Sequence, residues 1–185
     1  NSLTPIALSL RRVYSRFSAE DLPPEVTESL QAMEEELRAL ERMASEFSEF
    51  ARMPGAEKAA LNVNEVIRSV ARIVEPAAGG VTLRTRLAEG LPPVEADREQ
   101  IKRVIHNLLK NAVEASHDSG TVTLSTRLCS GPHGSVEIEV EDQGEGMDEE
   151  TRSRIFSPYF TTKRKGTGLG LAMVQKIVED HHGSI

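Results

Sequence analysis

The sequence reads Phe156-Ser157-Pro158-Tyr159-Phe160-Thr161-Thr162-Lys163 and, two basic residues later, Gly166-Thr167-Gly168-Leu169-Gly170-Leu171, where an apolar helical pattern begins. Glycine lets a backbone turn through conformations closed to other residues and approach an anion closely. The N–H groups of a helix start add positive partial charge at the same place. This order predicts a phosphate-binding loop, although the same spacing also occurs in ordinary turns. A Rossmann-type site is not indicated, because no dinucleotide-type strand precedes the glycines.

The composition narrows the class of protein. The chain has 185 residues, a net charge of −7, no Trp and 4% aromatic residues, so we expect an aliphatic core and no nucleic-acid partner. A single cysteine, Cys129, fits a reducing compartment, and no apolar run approaches the roughly 20 residues of a membrane span. We therefore expect a cytoplasmic location for these residues. The sequence starts at Asn1 without Met, so any membrane anchor of the parent protein, such as one in the inner membrane, would lie upstream.

Two apolar stripes with heptad spacing fill the first third of the chain. They consist of Leu3, Ile6, Leu10, Val13 and Phe17, and of Val26, Leu30, Met33, Leu37, Leu40, Ala44, Phe47 and Ala51. Residues 18–24 contain a Pro-Pro pair and favour a connection between two helices that fold back as a hairpin. Two helices alone bury both stripes poorly, so we expect a homodimer that forms a four-helix bundle. The alternative is a hairpin packed on the rest of the chain.

After Pro54-Gly55 the pattern changes to mixed helices and strands, which predicts a domain boundary and an α+β fold for the second part. Asn62 with Glu65, and Asp97 with Gln100, resemble capping boxes before apolar helical patterns. Apolar and polar residues alternate in three predicted strands, at 81–87, 121–128 and 136–140. We expect these helices and a final one to cover one face of a mainly antiparallel or mixed sheet.

Two further motifs carry side chains suited to chemistry. Asn107 and Asn111 are four residues apart on a predicted helix and share a face, where their amides either satisfy a buried network or hold a hydrated cation. The segment Asp142-Gln143-Gly144-Glu145-Gly146-Met147 follows a predicted strand directly. A carboxylate at a strand end can accept a hydrogen bond from an exocyclic amine above a glycine turn, although an ordinary Asp-x-Gly turn looks similar.

In this order the motifs resemble those of the sensor histidine kinases. Residues 107–116 are similar to the family's N box, 142–147 to its first glycine box, 156–163 to its F box and 166–171 to its second glycine box. The start, Asn1-Ser2-Leu3-Thr4-Pro5-Ile6, is similar to the end of the H box, with Ser2 in place of the usual proline. The resemblance covers essentially the whole chain, and the nitrogen-regulation kinases are the most similar subgroup.

The resemblance implies a dimerisation and histidine-phosphotransfer hairpin in residues 1–54. It implies a Bergerat-type α/β sandwich, the GHKL ATP-binding domain, in residues 55–185, without its last strand. ATP and Mg²⁺ are the implied cofactors: Asp142 would bind the adenine amino group, and Asn111 would coordinate Mg²⁺. Gly144 and Gly146 would shape the pocket, below a mobile lid at about 147–166. The other implied ATP-binding residues are Asn107, Lys163, Gly166, Thr167, Gly168, Leu169 and Gly170.

The resemblance also distinguishes transfer of phosphate to a histidine from hydrolysis of ATP. Hydrolysing relatives have a water-activating glutamate where this chain has Asn107, and a neutral amide cannot act as that base. We therefore expect transfer of the γ-phosphate to a histidine, and then to an aspartate of a response-regulator receiver domain. The acceptor histidine is expected four residues before Asn1, so these 185 residues are predicted to bind ATP without autophosphorylating. Asn1 matches the position that orients water in the reverse, phosphatase reaction.

Two alternatives stay open on the sequence alone. One is a scaffold that keeps the bundle and has lost nucleotide binding, which the intact Asn111, Asp142 and glycines oppose. The other is an ATP-hydrolysing relative of the same fold, which Asn107 and the heptad hairpin oppose. We interpret the histidines as surface or packing residues; they are His106, His117, His133, His181 and His182.

Overall fold

The structure, a computed structural model, describes residues 9, 12, 23–116, 119–129, 134–163 and 166–185. The chain divides into two compact units. The first comprises Asn1–Met53 and Thr162–Thr167, and the second comprises Pro54–Thr161 and Gly168–Ile185. Within the described residues, no helix combines the length and the apolar character needed to cross a membrane.

The first unit is built on α1, which spans Pro24–Ala51 and confirms the second heptad stripe as a helix of 28 residues. Pro24 occupies the first turn, where a missing N–H costs no helical hydrogen bond. Four large apolar side chains of the stripe are exposed, at Val26, Met33, Leu40 and Phe47. The first stripe and the hairpin connection lie outside the described residues, apart from isolated positions. The four-helix bundle therefore stays a prediction.

The second unit contains the remaining elements. Its strands are β1 (Ala59–Leu61), β2 (Thr82–Leu87), β3 (Val94–Ala96), β4 (Thr121–Cys129) and β5 (Ser135–Glu141). Its helices are α2 (Val63–Val74), α3 (Arg98–Ala115), α4 (Glu149–Arg154) and α5 (Gly170–Asp180), with a 3₁₀ turn at Glu75–Ala77. The three predicted strands and the helices after Asn62 and Asp97 are confirmed, as is the α+β class. The strands β1 and β3 and the short helix α4 were not predicted.

The main sheet has the order β2-β4-β5 and is mixed, as expected. β2 runs parallel to β4, with Thr82 opposite Thr121, and β4 runs antiparallel to β5, with Thr123 opposite Glu141. β1 and β3 pair separately in an antiparallel ribbon. The parallel pair requires a crossover between β2 and β4, and α3 lies in that crossover.

Both long helices of the second unit start at side-chain caps and then bury an apolar face. The Asn62 carboxamide oxygen accepts hydrogen bonds from the backbone N–H groups of Asn64 and Glu65. Asp97 does the same for Glu99 and Gln100 at the start of α3. The helices and the sheet share one core, with Val66, Ile67, Val70, Ile105, Leu109, Ala112, Val122 and Leu124 among its members. This core fixes the position of α3, which carries the two asparagines of interest.

Candidate functional site

The site is organised along one face of α3. Asn107, Asn111 and Ala115 follow each other at four-residue steps, so they lie on the same side of the helix over about 12 Å of its length. Asn107 and Asn111 are half-buried. The Asn107 side-chain nitrogen donates to the carbonyl of Arg103 at 3.1 Å, which orients its amide.

At one end of this face, α3 meets the second glycine box. A Cβ atom at Gly170 would lie 3.1 Å from Oδ1 of Asn107, so glycine leaves room for the asparagine side chain where α5 begins. Leu169, the residue before, is buried with 2% of its surface exposed and anchors the loop in the interior. The N–H groups of the first turn of α5 therefore begin beside Asn107.

At the other end, α3 meets the first glycine box. A Cβ atom at Gly144 would lie 2.7 Å from the carbonyl oxygen of Ala115 and 2.9 Å from Oδ1 of Asp142. The Gly144 N–H donates to that same Asp142 oxygen at 2.9 Å, which forms a tight turn after β5. Asp142 is exposed, and Gly146 has a φ of 75° with open space around its Cα. The carboxylate predicted to bind adenine therefore stands on a turn held against the C-terminal part of α3.

The F-box segment closes on the second glycine box by backbone contacts. The Tyr159 N–H donates to the carbonyl of Gly168 at 3.0 Å, and both residues have a left-handed φ, 67° and 68°. Phe156 and Phe160 are half-buried, and the Arg154 guanidinium lies 4.5 Å from the Phe160 ring centre. The base of the predicted lid is thus a turn closed by a hydrogen bond to Gly168.

The helix α4 lies inside the predicted lid, and its start carries a signal that sequence reasoning missed. Asp148 caps α4, because its carboxylate accepts from the Thr151 N–H at 2.8 Å. Hydrogen bonds from the Thr151 side chain and backbone lower the pKa of Asp148. The spacing Asp148-x-x-Thr151 before charged helix-forming residues was the available indication of this helix.

The predicted site residues fall in both units. Asn107, Asn111, Asp142, Gly144, Gly146, Gly168, Leu169 and Gly170 belong to the second unit. Lys163, Gly166 and Thr167 belong to the first, where the Gly166 N–H donates to the Lys163 carbonyl at 3.1 Å and the Thr167 hydroxyl contacts the Glu46 carboxylate. Asn1 lies outside the described residues. Sequence reasoning did not single out Ala115, whose carbonyl oxygen and Cβ lie against Gly144.

The side chains available as ligands determine which metal ion the site could bind. Among the described residues, no group of three or more His, Cys, Asp or Glu side chains lies close enough together to bind a metal ion. Mg²⁺ commonly binds through one or two protein oxygens, several waters and the phosphates of its substrate. The side-chain oxygen of Asn111 is of the chemical type that such an ion accepts.

Comparison with known proteins identifies the family. A profile described as histidine kinase-, DNA gyrase B- and HSP90-like ATPase matches residues 96–185. The chain is 36% identical over 182 residues to the sensor histidine kinase ZraS of Klebsiella oxytoca, covering 96% of this chain and 39% of ZraS. It is 32% identical over 199 residues to the nitrogen regulation protein NtrY of Azorhizobium caulinodans, covering 100% of this chain and 25% of NtrY. The chain thus spans well under half of either relative.

Solved structures agree with these relatives. The catalytic domain of the histidine kinase ThkA is 36% identical, with a TM-score of 0.61, and the match covers 68% of this chain and 82% of that domain. A second ThkA structure, determined in complex with the response regulator protein TrrA, is 30% identical with a TM-score of 0.71 and covers 97% of this chain and 52% of that one. The resemblance seen in the four sequence boxes is therefore confirmed, and the chain belongs to the sensor histidine kinases with a GHKL-type ATPase domain.

Proposed function

We propose that the second unit binds Mg-ATP along the α3 face that carries Asn107, Asn111 and Ala115. The observation that carries the proposal is the placement of a glycine box at each end of this face. Gly170 lies against Asn107 and Gly144 lies against Ala115, each at a distance that a Cβ atom would violate or crowd. An elongated ligand with a base at one end and phosphates at the other fits a face closed in this way.

Each end of the face has chemistry suited to one part of ATP. The exposed Asp142 carboxylate accepts hydrogen bonds, as recognition of the adenine amino group requires. The start of α5 presents N–H groups and positive partial charge to the phosphates. Asn111 lies between Asn107 and Ala115 and would hold Mg²⁺, which when bound neutralises phosphate charge. Lys163, Gly166 and Thr167, which the resemblance also implies as ATP-binding residues, belong to the first unit and stay a prediction.

The reaction proposed is phosphoryl transfer to a histidine rather than hydrolysis. An amide at Asn107 has no basic site at neutral pH, so it cannot remove a proton from an attacking water molecule. Its nitrogen already donates to the Arg103 carbonyl, which leaves the oxygen as the polar atom directed toward the start of α5. A histidine ring nitrogen needs no such base, because the neutral imidazole is itself a nucleophile.

The remaining parts of the proposal concern the hairpin and the partners. We infer that residues 1–54 form the dimerisation and phosphotransfer hairpin, residues 55–185 the catalytic domain, and that two copies of α1 contribute to a four-helix bundle. The exposed apolar stripe of α1 supports this, since such a heptad seam is normally covered. ThkA was crystallised with a response regulator protein, which supports a receiver domain as the phosphate acceptor after histidine.

Calorimetric titration with Mg²⁺ and a non-hydrolysable ATP analogue tests the site. We expect saturable binding that Asn111→Asp and Asp142→Ala abolish while the thermal midpoint stays near wild type, because both side chains are expected to face the ligand. The matched control is Glu145→Ala, which removes an exposed carboxylate from the same turn. Unchanged affinity in Asn111→Asp and Asp142→Ala would contradict the assignments.

The two alternatives predict other results. A nucleotide-free scaffold shows no heat of binding even at millimolar analogue. An ATP-hydrolysing relative releases free phosphate rapidly when the parent kinase is incubated with ATP labelled at the γ-position. The proposed kinase instead transfers that label to a histidine of the parent protein, and it loses the label to its response regulator.

A further inference from the structure

The helices α3 and α5 lie antiparallel and touch at three levels. At the site, Gly170 faces Asn107. One turn further along each helix, an Arg103 guanidinium nitrogen lies 3.8 Å from the sulfur of Met173. At the far end, the backbone nitrogen of Asp97 lies 2.9 Å from Nε2 of His181, the residue that ends α5. The polar contact at His181 is thus set about 16 Å along α5 from the glycine that opens the site.

The hydrogen bonds of His181 define which of its nitrogens carries the proton. The Asp97 backbone N–H can only donate, so Nε2 must be the unprotonated acceptor. Nδ1 lies 2.7 Å from the Ile177 carbonyl oxygen, which can only accept, so Nδ1 must carry the hydrogen. Both ring nitrogens therefore form hydrogen bonds with backbone groups, and both bonds require the neutral Nδ1–H tautomer. A hydrocarbon side chain at this position could make neither bond.

Asp97 also forms a hydrogen bond with the first residues of the second unit. Its carboxylate accepts from the Glu57 N–H at 2.9 Å, in addition to capping α3. Gln100, one turn into α3, donates its side-chain N–H to the Pro54 carbonyl at 3.1 Å. The first residues of the second unit and the end of α5 therefore both bind the start of α3, through Asp97 and Gln100.

We propose that His181 is a positioning residue for nucleotide binding. Resting on the proposed function, it fixes the position of α5 along α3 and so holds Gly170 beside Asn107. The approach there is close, because a Cβ atom at Gly170 would lie only 3.1 Å from the Asn107 oxygen. Movement of α5 away from α3 would withdraw its N–H groups from the phosphates. The apolar packing of Ala172, Met173, Val174 and Ile177 holds α5 in place but specifies its axial register less sharply than a directional hydrogen bond.

The first test is spectroscopic and does not depend on nucleotide. Long-range nitrogen–proton NMR correlations of the imidazole rings report the tautomer of each histidine. We expect His181 to show the Nδ1–H form with Nε2 unprotonated at neutral pH. An Nε2–H tautomer, or an averaged pattern of freely exchanging tautomers, overturns the proposal.

The second test separates positioning from stability. We expect His181→Ala to weaken binding of Mg²⁺ with the non-hydrolysable ATP analogue about tenfold, the equivalent of one lost hydrogen bond. His181→Gln keeps an acceptor for the Asp97 N–H and should recover most of that affinity. The matched control is the adjacent His182→Asn, because His182 is exposed with a φ of 58°, a conformation that asparagine tolerates.

The tests of His181 can fail independently of the test of the ATP site. If wild-type protein binds no analogue, the proposed function fails, whereas the tautomer result stands by itself. If His181→Ala lowers only the thermal midpoint and binds the analogue normally, His181 is structural and the proposal is wrong. If His181→Ala does not fold, affinity in His181→Gln decides: a tenfold loss in a folded protein that retains the acceptor contradicts the proposed hydrogen bond as the cause.

Discussion

Replacing Gly168 with alanine provides a strict test of the second glycine box. Gly168 has a φ of 68°, and a Cβ atom there would lie 2.4 Å from the carbonyl carbon of Tyr159 and 2.7 Å from the nitrogen and oxygen of Phe160. All three atoms are backbone atoms, so no side-chain rotation relieves the overlap. Gly146 has a similar φ of 75°, but nothing lies within 4 Å of its Cβ position. The two substitutions therefore share a conformational cost and differ in the overlap.

The expected loss of unfolding free energy follows from these two terms. A left-handed conformation costs a residue with a Cβ about 1–2 kcal/mol, which is the whole effect expected for Gly146→Ala. Overpacking adds about 1–3 kcal/mol, so Gly168→Ala should lose about 2–5 kcal/mol in total. The difference between the two variants isolates the packing of Gly168 against the F-box segment.

Urea unfolding followed by circular dichroism measures this difference. With a slope of about 1–3 kcal/mol per molar urea, the midpoint of Gly168→Ala should lie roughly 1 M below that of Gly146→Ala, with similar slopes in both. We also expect Gly168→Ala to lose nucleotide affinity, since the displaced backbone includes the Tyr159 N–H bonded to Gly168. Equal midpoints for the two variants would refute the close approach of Gly168 to Tyr159 and Phe160.

Three further substitutions test the second unit. Burial alone would raise the pKa of Asp97, but hydrogen bonds from backbone N–H groups, including that of Glu57, outweigh burial and lower this pKa. The Asp97 carboxylate therefore stabilises the fold fully above its unfolded pKa, and this stability is lost as the pH falls through its folded pKa. Asp97→Asn should flatten this decline of the thermal midpoint at acid pH. Ile67→Ala opens a cavity at a fully buried position and should cost about 2–5 kcal/mol in urea unfolding. Thr126→Val removes a buried hydroxyl that donates to the Asn64 side chain at 3.0 Å, which should cost about 1–3 kcal/mol by the same measurement.

Elements with a local signal were predictable from the sequence. Asn62 and Asp97 predict the starts of α2 and α3, because a short polar side chain before an apolar helical pattern accepts hydrogen bonds from the first N–H groups of a helix. The alternating stretches became β2, β4 and β5, since one face of each strand packs on the core. In these cases the residues that determine an element lie inside it.

Elements that depend on distant partners were not predictable in this way. β1 and β3 have three residues each and exist because Ala59–Leu61 pairs with Val94–Ala96, more than thirty positions along the chain. The left-handed Tyr159 is similar, because its conformation is sustained by the hydrogen bond to Gly168 and not by its own preference. His181 carried no pattern that distinguished it from the other histidines, and its role follows only from the meeting of α3 and α5.

The glycine boxes show the same division at the level of single residues. Each box contains one glycine required by backbone conformation, Gly146 with φ 75° and Gly168 with φ 68°. Each also contains one glycine whose φ is ordinary and whose missing Cβ lets a loop approach α3, Gly144 at Ala115 and Gly170 at Asn107. The sequence alone does not distinguish these glycines. Alanine should be tolerated at Gly146 at the cost of strain alone, whereas at Gly144 it would overlap the backbone of Ala115 and at Gly170 it would crowd the Asn107 side chain. The N box and both glycine boxes therefore form one structural unit, in which α3 sets the distance between the two glycine loops.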